Sequence, residues 1–109
     1  MEIRNIPFET FNLENHPVEE HAGITGMAYW KTEKRGDIRI RIVEYSPGYL
    51  ADHWCEKGHA VFVLEGEFES ELRDGRKFRL IKGMCYLVAD HAEEHRSFTQ
   101  DGVKLLIVD

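Results

Sequence analysis

GYLADHWCEKGHAVFVLEG, residues 48–66, is the stretch from which the rest of the chain is best read. It carries His53, Cys55 and His59 within seven positions. Read as a strand, Asp52 to Cys55 alternates its side chains, so His53 and Cys55 share one face and Asp52 and Trp54 the other. Two residues apart on a strand is roughly 7 Å, a span across which an imidazole and a thiolate can converge on one ion. Lys57-Gly58 permits a turn, and His59 re-enters at the head of the next strand. Ala60 to Leu64 (AVFVL) is a short apolar run of the kind that fills a β-core, and Glu65-Gly66 turns the chain.

Working outward, the same grammar recurs. Upstream, Thr25 to Lys31 reads as a strand. Gly36 to Tyr45 (GDIRIRIVEY) alternates most cleanly, with Ile38, Ile40 and Ile42 on one face and Arg39 and Arg41 on the other, expected to face solvent. Ser46-Pro47-Gly48 is a turn signal. Downstream, Glu67–Leu72 and Arg76–Ile81 form a hairpin about Asp74-Gly75, taken as a two-residue turn. Met84–Val88, His95–Thr99 and Val103–Asp109 follow as short strands. Cys85 is expected to be buried in its strand. Residues 1–23 read as an irregular N-terminal arm, with Ile6, Phe8, Phe11 and Leu13 as apolar anchors and His16 and His21 in exposed loop. Short strands at this spacing, with glycine turns and no helix beyond a turn or two, predict an all-β sandwich or barrel. The expected organisation is one domain over 1–109, an arm at 1–23 and a barrel at 24–109.

Composition narrows the function. The 109 residues carry 14 Lys plus Arg against 20 Asp plus Glu, a formal charge of −6. A mildly acidic surface argues against nucleic acid or an anionic membrane as the main partner, while leaving room for a local basic patch. No apolar run approaches the ~18 residues of a membrane span, and the N-terminus lacks signal-peptide character. Two cysteines without a secretory signal imply reduced thiols and a cytoplasmic setting.

The pattern resembles the cupin superfamily over about residues 36–109. The first cupin motif runs Gly, spacer, His-x-His, a few residues, Glu, six residues, Gly. Here Pro47-Gly48 opens it, His53 and Cys55 take the two His places, His59 stands where the Glu would be, and Gly66 closes it. The second motif runs Gly, apolar strand, loop, His, three residues, Asn. Here it begins at Gly83, passes MCYLV and ADHAEE, and reaches His95, with Thr99 in place of Asn. The string Asp52-His53-Trp54-Cys55 also resembles a small bacterial group named for a DHCW motif. The resemblance implies a small antiparallel jelly-roll (cupin) barrel holding an ion, often as a homodimer. It does not select a reaction, because the superfamily spans dioxygenases, isomerases, epimerases, sugar-binding and storage proteins.

What the resemblance implies at the site is a metal set of His53, Cys55, His59 and His95, softer than the three His and one Glu usual in cupins. Three imidazoles and a thiolate suit zinc or iron, with nickel or manganese as further options. Four ligands close the site; if Cys55 stands off, three His leave coordination positions open. Cys55 is equally readable as a ligand, a redox-sensitive thiol or a nucleophile activated by His. The contrasting reading has these side chains simply lining a polar barrel mouth. Two functions remain open. One is a metal-dependent enzyme, oxygenase or isomerase in type, acting on a small polar molecule. The other is a non-catalytic module that binds or senses a small ligand or metal.

Overall fold

Alternation tells that one face of a strand is covered, and strand β3 (Ile38–Tyr45) shows why it does not tell by what. In the computed structural model, which describes residues 2–109, Arg41 and Val43 are buried in the barrel, and Arg39 shares their face. Ile38, Ile40 and Ile42 lie on the outer side, half-covered. The expectation that Arg39 and Arg41 are solvated is therefore corrected. An internal carboxylate, Asp109, holds both guanidiniums inside.

The chain folds into eight strands: β1 (Glu19–Ala22), β2 (Met27–Arg35), β3, β4 (His59–Leu72), β5 (Lys77–Ile81), β6 (Cys85–Val88), β7 (His95–Phe98) and β8 (Val103–Val108). All pairings between them are antiparallel. One sheet runs β1-β2-β3-β8-β4-β6, and the other is β5-β4-β7. β4 belongs to both. Its first half pairs β8 and β6, and its second half pairs β5 and β7. The expected break at Glu65-Gly66 is a bulge within one 14-residue strand, marked by a register shift between Val63 and Glu65. Gly66 has φ +77°, and a Cβ there would lie 2.5 Å from the Gly102 carbonyl oxygen. Only glycine lets the strand turn this corner.

The core follows from the inward residues of β3, β4 and β8. Val43, Val61, Val63, Phe68, Leu80, Val103, Leu105 and Ile107 form one cluster, and Ala28, Tyr49 and Ala51 a second beside it. Each fully buried aliphatic side chain contributes about 1.5–3 kcal/mol.

Three further expectations change. Asp74-Gly75 lies in a three-residue loop, because the Leu72 N–H donates to the Arg76 carbonyl at 2.8 Å and Gly75 takes φ +99°. Residues 1–23 are not wholly an arm. Leu13–Asn15 forms a 3₁₀ turn capped by Asn12, and β1 pairs β2 from Glu19↔Trp30 to Ala22↔Met27. Cys85 is exposed, because the face of β6 that pairs with Phe62 points outward.

Candidate metal centre and cavity

The segment Asp52–Cys55 is not a strand. Asp52 and His53 form a bend, and only Cys55 pairs, in an isolated bridge with His95. The alternation that was to align His53 with Cys55 is therefore lost. The His53 side chain is 71% exposed, and its Nδ1 donates to the Asp52 carboxylate at 2.7 Å. That bond holds the Asp52 carboxyl below its usual range. The structure brings together Cys55, His59 and His95, whose ligand atoms lie within 4.8 Å of one another, and leaves His53 outside the group.

Each of the three is set by the backbone. The Cys55 and His95 amides and carbonyls exchange hydrogen bonds at 2.7 and 3.0 Å, which locks β7 to the loop before β4. His59 opens β4 opposite Val88. Gly58, just before it, packs against the Ala89–Asp90 backbone, where a Cβ would lie 2.6 Å from the Asp90 nitrogen. The Gly58 amide donates to Asp90 Oδ1 at 2.6 Å. Gly58 thus fixes where His59 enters the barrel.

The tautomers follow from the partners. His95 Nδ1 lies 2.9 Å from the Glu93 carbonyl oxygen, which can only accept, so Nδ1 carries a proton. In the neutral ring, Nε2 is then a bare lone pair. It faces His59 Nε2 at 2.8 Å. The Tyr86 hydroxyl lies 3.2 Å from the same His59 nitrogen. His59 Nδ1 is buried without a hydrogen-bond partner, and its nearest charge is Asp109 Oδ2 at 3.7 Å. Two imidazole nitrogens facing at this distance repel unless a proton or a cation joins them. The electrostatics agree. A hydrogen bond to His95 lowers the Cys55 thiol pKa against the opposing effect of burial. Burial pulls His95 down, but its bond to Cys55 and its contact with the Glu93 carbonyl outweigh this and raise it. Burial holds the Tyr86 hydroxyl protonated.

These donors fit a divalent transition metal. Two Nε2 atoms and a sulfur converge, each ring turns its other nitrogen toward an oxygen acceptor, and a depressed thiol favours the ligand form. Cysteine with two histidines is a set that zinc and ferrous iron accept.

A cavity of about 480 Å³ opens over the group, lined on its deep side by Arg39, Arg41, Val61, Tyr86, Leu105 and Ile107. His53 and Trp54 stand at its rim, where Trp54 stacks under the Arg96 guanidinium at 4.5 Å. Tyr49 and Tyr86 line this cavity, whereas Phe62 and Phe98 are on the outside. A second, more apolar pocket of about 260 Å³ lies on the far side of Tyr86 and His95, between β5 and β6. Thr99, in the Asn position of the second motif, is a structural residue. It is 1% exposed, and its hydroxyl bonds the Glu67 carbonyl and the Gly102 amide. Arg39, Arg41 and Asp109 were not legible as site residues. Their only signal is a pair of arginines on one face of the most regular strand.

The fold is that of the cupins, a jelly-roll of antiparallel strands. The polyketide cyclase RemF from Streptomyces resistomycificus superimposes with a TM-score of 0.74 at 20% identity, over 94% of this chain and 78% of that one. The Cnp3 cupin domain of Schizosaccharomyces pombe gives 0.70 at 11% identity, over 91% and 71%. A sugar phosphate isomerase of the cupin superfamily from Silicibacter pomeroyi gives 0.67 at 15% identity, over 92% and 74%. No family model and no curated protein matches the sequence. Among the described residues, no helix is long and apolar enough to cross a membrane.

Proposed function

We propose that this protein holds one divalent transition metal through Cys55, His59 and His95 and acts on a small polar molecule in the cavity above it. The reaction is of the oxygenase or isomerase type. The observation that carries the reading is the 2.8 Å approach of two Nε2 atoms, with His95 held from behind by the Glu93 carbonyl, His59 Nδ1 facing Asp109 at 3.7 Å, and the Cys55 sulfur beside them. Zinc or ferrous iron suits this set, nickel is also accepted by it, and manganese is the least matched to sulfur. A bound ion would supply Lewis-acid polarisation of a ligand oxygen. The chain supplies the rest. The Glu93 carbonyl fixes the His95 tautomer, Val61, Leu105 and Ile107 give the cavity an apolar wall, and the Tyr86 hydroxyl is a protonated donor at the site. The reduced state of Cys55 that this requires agrees with a cytoplasmic setting.

Elemental analysis of protein purified without added metal or chelator tests the proposal, run beside the His59→Ala/His95→Ala double variant. About one equivalent of metal in the wild type, lost in the variant, is expected. No metal in the wild type and none taken up on its addition would overturn it. One observation favours the non-catalytic alternative. The deep carboxylate, Asp109, is tied to two arginines and is not free to serve as a base. Metal and ligand binding without turnover would select that reading.

A further inference from the structure

We propose that the cavity binds its small molecule through a carboxylate, seated on Arg41 with Arg39 beside it, so that the ligand class is the small organic acids. The proposal rests on the reading of the site given above and adds the charge that its ligand carries. Arg41 is 5% exposed, yet it lines the cavity shared with Cys55, His59 and His95. A guanidinium has five N–H donors. Arg41 commits Nη2 to Asp109 Oδ2 at 3.1 Å, and its Nε is buried with no partner. Arg39 takes the better share of the same carboxylate, with Nε on Oδ1 at 2.9 Å and Nη2 on Oδ2 at 2.8 Å. One buried and one half-buried cation thus share one anion, and an excess positive charge remains beside the cavity.

Among the other charged groups, Cys55 as a thiolate acts on both arginines, and in the reading above its charge is taken up by the metal. Arg96 is engaged by Glu71, and Glu94 by Arg73. Glu56 and Lys57, of opposite sign, are exposed at the rim. Trp30 covers one side of Arg41, with the guanidinium 4.3 Å from the ring centroid. The aromatic face holds the guanidinium plane without consuming a donor, which keeps the fork pre-organised. A planar carboxylate matches that fork better than a point anion does. His59 Nδ1 faces the same Asp109 oxygen, at 3.7 Å, so the arginine pair and the metal group sit on two sides of one carboxylate. A short acid can therefore place its carboxylate on Arg41 and a second oxygen over Cys55, His59 and His95.

The test is titration calorimetry with malonate, succinate, inorganic phosphate and the neutral malonamide, on the wild type and on Arg41→Met and Asp109→Asn. Thermal melts of each variant monitor folding, and metal content is measured on every sample. The dicarboxylates are expected to bind the wild type, malonamide is not, and Arg41→Met weakens binding at least tenfold. Asp109→Asn removes the competing internal carboxylate and is expected to strengthen binding. It should also enlarge the rise in melting temperature that malonate produces, a readout available even if that variant is poorly stable. Failure of the dicarboxylates to bind, equal affinity in Arg41→Met, or tighter binding of phosphate than of either acid would overturn the proposal. Dicarboxylate binding in a protein that takes up no metal would keep the anion subsite and reject the metal reading. Metal uptake without dicarboxylate binding would do the reverse.

Discussion

His95 is 3% exposed, and the His53 side chain is 71% exposed, although both stood as ligands on motif spacing alone. The difference has a simple origin. Spacing predicts which side chains share a face only where the backbone is a strand, and the chain bends at Asp52-His53. His53→Ala is therefore expected to keep its full metal content, while His95→Ala loses it; parallel elemental analysis of the two variants checks this. Cys55 carries a second prediction. Its depressed thiol pKa favours the thiolate, which is both the reactive and the ligating form. Alkylation of Cys55 by iodoacetamide near neutral pH, followed by peptide mass spectrometry, is expected to slow at least tenfold once zinc is added. An unchanged rate would place the sulfur outside the coordination shell. His59 and His95 were legible in the sequence because each heads a strand, where the phase is fixed. Asp109 was not, because nothing local to it indicates that β3 would offer two arginines across the barrel.

At the scale of elements, the short joints matter more than the strands. Gly58 lies against the Ala89–Asp90 backbone with no room for a methyl group. Gly58→Ala must push that loop and the start of β4 apart, and it is expected to cost about 1–3 kcal/mol of stability and to weaken metal affinity. Denaturant titration and metal titration measure the two effects separately. The β3–β8 seam carries another prediction. Arg39 and Asp109 exchange backbone hydrogen bonds at 2.6 and 2.9 Å, and their side chains pair as well. Burial alone would raise the Asp109 carboxyl, but the bonds from Arg39 and the nearby charge of Arg41 hold it well below its usual range. A depressed carboxyl adds stability that is complete above the unfolded value near 4 and is lost as pH falls through the folded value. Acid melts should show this loss below about pH 4. Asp109→Asn should remove that dependence and cost about 3 kcal/mol at neutral pH by leaving two guanidiniums unpaired. The other strands were readable from alternation and turns, whereas β1 and the continuity of β4 through its bulge were not. The facing of β3 was not, because its isoleucines are half-covered on the outer side and its arginines are neutralised inside.

The molecule as a whole has an uneven surface. On the outer side of the large sheet, Leu87 is 81% exposed beside Phe62, and Leu106 and Ile42 continue the apolar stripe across β8 and β3. Scattered apolar residues need no explanation, but a contiguous stripe does. The homodimer that the cupin resemblance implies would pack through this face. Light scattering after gel filtration should give twice the 12.7 kDa chain mass, and Phe62→Glu with Leu87→Glu should give monomers that still bind metal. A wild-type monomer would refute it. The barrel class was legible because strand periodicity and glycine turns are local signals, whereas the stripe emerges only when four strands are laid side by side. The double membership of β4 has a consequence for topology. This strand hydrogen-bonds to β5, β6, β7 and β8, so a cut within it divides the pairing of both sheets. A split-protein reporter cut in the Arg73–Gly75 loop should reconstitute when its halves are brought together, and one cut between Val63 and Gly66 should not.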